Sequence, residues 1–109
     1  MKKLTAFMLF LDRFGLAVEK ICRGEILMSE DGSFTGWLVD FNNPENDLKI
    51  TGGRLNIMLK TVIFNFISAG EDYEVELSID KILGLTGKYG RVNTDSKDHK
   101  KMIASFSAD

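Results

Sequence analysis

Glu25-Ile26-Leu27-Met28-Ser29-Glu30-Asp31-Gly32-Ser33-Phe34-Thr35-Gly36-Trp37-Leu38-Val39-Asp40-Phe41 is the stretch whose reading decides the fold. Two β-rich runs flank an Asp-Gly pair, and glycine supplies the positive φ that a tight hairpin turn requires. On the second arm Thr35, Trp37, Val39 and Phe41 share one face, and Phe34, Gly36, Leu38 and Asp40 share the other. The pattern predicts an antiparallel hairpin.

A second hairpin joins Thr61–Ile67 to Tyr73–Asp80 through Ser68-Ala69-Gly70-Glu71-Asp72. Its second arm alternates, with Tyr73, Val75, Leu77 and Ile79 inward and Glu74, Glu76, Ser78 and Asp80 towards water. Its first arm is apolar on both sides: Thr61, Ile63, Asn65 and Ile67 on one, Val62, Phe64 and Phe66 on the other. An antiparallel sheet normally wets one face, so the Val62, Phe64 and Phe66 face needs a cover. Either an N-terminal helix or a second copy of the chain would supply it. The sequence therefore predicts self-association as a two-fold homodimer that Phe64→Glu or Phe66→Glu splits.

Downstream, Lys81–Gly90 carries glycine at 84, 87 and 90, the mark of bends or bulges at the corners of a closing sheet. Lys101–Phe106 reads as a last strand. The polar stretches Asn42–Asp47, with the single proline Pro44, and Asn93–Lys101 read as loops. Two segments fit helix and strand alike. Leu4, Phe7, Met8, Leu11, Phe14, Val18, Ile21 and Cys22 fall at helical spacing, interrupted by Gly15. Leu55–Ile67 also fits a helix, but the β-branched and aromatic run from Thr61, with Gly52-Gly53 as an upstream turn, favours strands. The expected fold is mainly β: one antiparallel meander barrel or strongly curved sheet of about seven or eight strands. Its ordering resembles small up-and-down ligand-binding barrels in architecture, with no shared motif. An α+β fold with an N-terminal amphipathic helix on the sheet is the alternative.

The 109 residues, 44% hydrophobic and 28% charged, suit one domain with a single core. A formal charge of −2 provides no basic field for nucleic acid. Met1-Lys2-Lys3 and the apolar Leu4–Leu11 resemble a signal segment, but Asp12-Arg13 ends the run and no Ala-x-Ala follows. No stretch approaches the roughly 20 apolar residues of a membrane span. With one thiol, Cys22, a reducing cytoplasm is the default.

Catalytic sets are sparse. His99 is the only histidine and the only imidazole base available to Cys22. Asp95, Asp98 and His99 are a candidate metal cluster, but Lys97 puts an ammonium among them. The oxygen-rich loop Asn42–Asp47 is the other candidate cation site, yet its residues are ordinary turn formers. Gly84-Leu85-Thr86-Gly87-Lys88-Tyr89-Gly90 lacks the hydroxyl residue that follows lysine in a phosphate loop. Glu74 and Glu76 share a wet face, unsuited to acid–base work. The sequence thus predicts neither an enzyme nor a bound metal or cofactor. It favours a binding module for a small apolar or amphipathic ligand, held by Trp37, Phe41, Tyr89 and Thr35. Phe64, Asn65 and Thr86 are secondary candidates. A homo-oligomeric structural or protein-interaction domain is the other reading, and an enzyme with a site shared between chains a distant third.

Overall fold

In the computed structural model, residues 1–80 and 84–108 are described. The strands are β1 (Lys2–Leu11), β2 (Val18–Met28), β3 (Ser33–Asp40), β4 (Asp47–Asn56), β5 (Thr61–Ser68), β6 (Glu71–Asp80), β7 (Gly84–Arg91) and β8 (Lys100–Ala108). Each pairs antiparallel with the next, and β8 returns to β1 to close an eight-stranded barrel. Closure leaves no sheet edge exposed. Among the described residues the one helical element is a short 3-10 turn, Ser96–Asp98, capped by Asp95, whose carboxylate accepts the amide of Lys97. Among the described residues no helix is long and apolar enough to cross a membrane.

The N-terminal segment is a β-strand, then an irregular loop, then a second strand, so the amphipathic helix of the alternative reading does not form. Leu4, Ala6, Met8 and Phe10 point into the barrel. Phe7 and Leu9 sit on its outer wall. Apolar groups on both faces hide the two-residue period and imitate a helical stripe. The loop between the strands is built by Asp12, whose Oδ1 accepts the amides of Phe14 and Leu16.

The hairpin of β2 and β3 forms as expected. Gly32 has φ +89°, its amide donates to Ser29, and Asp31 accepts from both Ser33 N and Ser33 Oγ. The second hairpin is tighter than its sequence suggests. Ala69 and Gly70, both at positive φ, make a two-residue turn, and the strands run on to Ser68 and Glu71. Gly52 and Gly53 do not form a turn. They lie within β4, where the register slips between Ile50 and Gly52, and the chain reverses only after Asn56.

An eight-stranded barrel has an interior just wide enough for side chains to fill. Here Phe10, Phe34, Phe64 and Phe66 fill it, with Met8, Ile26, Leu38, Leu48, Ile50 and Leu77 between them. Rings meet edge-on, as Phe10 does with Phe66 at 5.9 Å and Phe34 with Phe106 at 5.6 Å. Val62, Phe64 and Phe66 pair across the sheet with Leu77, Val75 and Tyr73 and join this core. The face that called for an external cover is therefore the inside of the barrel. A partner chain has no access to it. Of the residues expected inward on β6, Tyr73, Val75 and Leu77 comply, whereas Ile79 reaches the rim and stays half exposed.

Gly84 on β7 takes a positive φ of +90°, whereas Gly87 acts by close approach, since the register of β7 with both neighbours runs without a bulge from Leu85 to Tyr89. A Cβ at Gly87 would strike the Glu76 carbonyl oxygen and come within 2.8 Å of Leu77 Cα. Residues 81–83, the start of the glycine-rich segment, lie outside the described residues.

Candidate functional site

The outer wall over β1–β4 is built rung by rung from cross-strand neighbours. One rung is Phe7, Arg23, Val39 and Asp47; the next is Thr5, Glu25, Trp37 and Lys49. Leu27 and Thr35 oppose each other in a third. A sheet wetted on its outside should show polar residues here, as β6 does with Glu74, Glu76 and Ser78. Instead Phe7, Trp37 and Phe41 stand 37%, 54% and 49% exposed. Half-buried Leu9, Ile21 and Ile103 continue the apolar strip towards β8.

Phe7, Arg23, Leu27, Trp37, Val39 and Lys49 line a groove of about 1050 Å³. Trp37 is fixed at its edge by an indole Nε1–H donating to Asp47 Oδ2 at 3.0 Å. Phe41 continues the wall, its ring 6.4 Å from that of Phe7, and the Arg23 guanidinium lies 5.5 Å from the Phe41 centroid. The groove exists because the sheet bends sharply beneath it. A Cβ at Gly24 would strike the Trp37 carbonyl oxygen and come within 2.6 Å of Leu38 Cα; one at Gly36 would meet Glu25 O at 2.7 Å. Only glycine allows the strands to approach this closely.

Of the ligand-binding residues expected from sequence, Trp37 and Thr35 line this groove and Phe41 adjoins it. Tyr89 does not join them. It points inside the barrel, buried against Phe10 at 5.0 Å, with Phe66 and Tyr73 stacked beside it at 4.7 Å. These rings surround a smaller hollow of about 260 Å³ at the mouth near Lys20 and Asp98. Burial pushes the Tyr89 phenol well above its ordinary value. Phe64 is core, while Asn65 faces outward and donates to the Tyr73 carbonyl oxygen. Thr86 sits on the outer face of β7, opposite Ser78 and Ile103. Sequence reasoning missed Phe7, Arg23 and Lys49, because cross-strand register joins them to Trp37 and no local pattern records that.

The candidate catalytic pair is not assembled. Cys22 faces the interior, and His99 lies on the outer wall over Gly90, beside Glu74, Glu76 and Lys88. Its Nε2 is buried with no hydrogen-bond partner among the described residues. Among those residues no three His, Cys, Asp or Glu side chains gather to hold a metal ion.

Burial pushes the Cys22 thiol up to about 11, with Lys20 opposing and Asp40 reinforcing the shift. A thiol that is mostly protonated at neutral pH is a poor nucleophile. Alkylation of Cys22 at pH 8 is therefore expected to run about 100-fold slower in the folded protein than in denaturant, checked by timed iodoacetamide labelling. The raised thiol also stabilises the fold below its unfolded value of 9.0, and that contribution is lost as pH climbs through about 11. Melting temperature should fall over that window, and less steeply in Cys22→Ala.

Compared with protein-family models, with curated proteins and with solved structures, the chain matches none. The fold and the groove define it as an eight-stranded up-and-down barrel, filled inside and apolar along one outer wall.

Proposed function

We propose that this protein is a non-catalytic binding module that takes a small amphipathic ligand on the outer wall of β1–β4. The observation that carries the reading is the groove around Trp37, where Phe7 and Trp37 are exposed, Val39 is half-buried and the exposed Phe41 extends the wall. A ligand pocket is ordinarily a concave, mostly apolar site with a few polar groups, and this groove has that composition. The interior is a weaker candidate, since Phe10, Phe66, Tyr73 and Tyr89 already satisfy one another and leave a hollow below the roughly 300 Å³ of a typical ligand site. Covering on the order of 500 Å² of apolar surface on ligand and wall yields ~12 kcal/mol. After ~5 kcal/mol of association cost, an affinity on the order of 10 μM remains.

A thermal-shift screen tests the reading. Amphipathic compounds at ten times their dissociation constant should raise the melting temperature by several degrees, because they bind only the native state. Phe7→Asp should abolish the shift while leaving the unliganded melting point within a few degrees. No stabilisation by any amphipathic class would overturn the proposal.

The second reading, self-association, moves to the same wall, an apolar face left open once Val62, Phe64 and Phe66 are inside. If a second copy covers it, light scattering gives a ~24 kDa species that Trp37→Glu reduces to the 12.2 kDa monomer. We place the protein in the cytoplasm, in keeping with its single unpaired and buried Cys22.

A further inference from the structure

We infer that the ligand of the β1–β4 groove carries a single carboxylate head on an apolar body, read by Arg23 with Lys49. This inference rests on the binding reading above and adds the sign and placement of charge.

Arg23 stands between Phe7 and Val39, in the middle of the apolar wall and beside the Phe41 ring. Its guanidinium is exposed and makes no ion pair among the described residues, so its donors are open to a ligand lying along the wall. Lys49, the neighbour of Trp37 on β4, makes none either. Two acids stand on the same wall, and among the described residues neither pairs with Arg23 or Lys49. Glu25 meets Lys3 at 3.5 Å, and Asp47 accepts the Trp37 indole N–H at 3.0 Å. The groove therefore offers two cations with donors to spare, set among aromatic and aliphatic surface.

An arginine fork matches a carboxylate with two parallel N–H donors, and the Phe41 ring beside the guanidinium offers apolar contact to the body of the same ligand. A cationic head would face Arg23 and Lys49 as like charges. A neutral head would leave the guanidinium unpaired beneath a covering apolar chain, which costs affinity. An acyl or aryl carboxylate meets both demands, its head at Arg23 and its body along Val39, Trp37 and Leu27.

Trp37, the only tryptophan in the chain, reports on occupancy. The protein is titrated with dodecanoate, dodecyltrimethylammonium and a dodecyl glycoside, each below its micellisation concentration, while Trp37 emission and melting temperature are followed. Dodecanoate should give a saturable blue shift and a raised melting point, with at least about tenfold tighter binding than either comparator. Arg23→Gln should remove most of that preference and Lys49→Gln part of it. Lys88→Gln, on the far wall, should leave it unchanged. Equal binding of all three heads, or a preference that survives Arg23→Gln in a variant with an unaltered near-ultraviolet spectrum, overturns the charge assignment and leaves the binding reading standing. No saturable response to any of the three overturns both.

Discussion

Phe64→Glu is expected to unfold the protein at room temperature. The Phe64 ring is buried at the centre of the barrel between Phe34 and Phe66, with centroids 5.8 Å and 6.4 Å away. Losing a buried ring costs roughly 3–5 kcal/mol. Placing an unpaired carboxylate in the same space adds several more. Together these approach or exceed the roughly 5–15 kcal/mol of stability available to a small domain. Far-ultraviolet circular dichroism should show the strand signal lost. A folded Phe64→Glu protein that had merely lost a dimer partner would contradict the interior placement of this face.

Gly24→Ala should be the most damaging conservative substitution on the wall. Its methyl would press on the Trp37 carbonyl oxygen and the Leu38 Cα, backbone atoms that cannot swing aside. Overpacking of this kind costs up to about 3 kcal/mol, which lowers the melting temperature of a domain this size by roughly 15 °C. Gly52→Ala is the matched control, since nothing lies within 4 Å of its Cβ position. That variant should be neutral or slightly more stable, as the added methyl restricts the unfolded chain. Equal melting points for the two would rule out close strand approach as the origin of the bend.

The β2–β3 hairpin was legible because its turn chemistry and its two-residue period agree. Which face of β3 looks inward was not. Hydrophobicity favours the Thr35, Trp37, Val39 and Phe41 face, yet the structure turns Phe34, Gly36 and Leu38 inside. The glycines decide it, since the strongly bent sheet leaves no room for a Cβ at Gly24 or Gly36 on the inner side. β1 was ambiguous for a related reason: its outer residues Phe7 and Leu9 are as apolar as its inner ones. That excess of outward apolar groups is the same feature that makes the groove, so what obscured the fold in the sequence is what suggests a function. Trp37 and Thr35 were within reach of local reasoning. Arg23 and Lys49 were not, because their proximity to Trp37 arises from pairing between strands.

The outer wall and the interior mouth make opposite demands on one measurement, a backbone and indole amide NMR titration with dodecanoate. Perturbations should cluster on Thr5, Phe7, Arg23, Glu25 and Lys49 and on the Trp37 indole N–H, with Phe10, Tyr73 and Tyr89 unmoved. Perturbations centred on Phe10, Tyr73 and Tyr89, with the Trp37 indole unchanged, would contradict the outer-wall site and move it into the barrel.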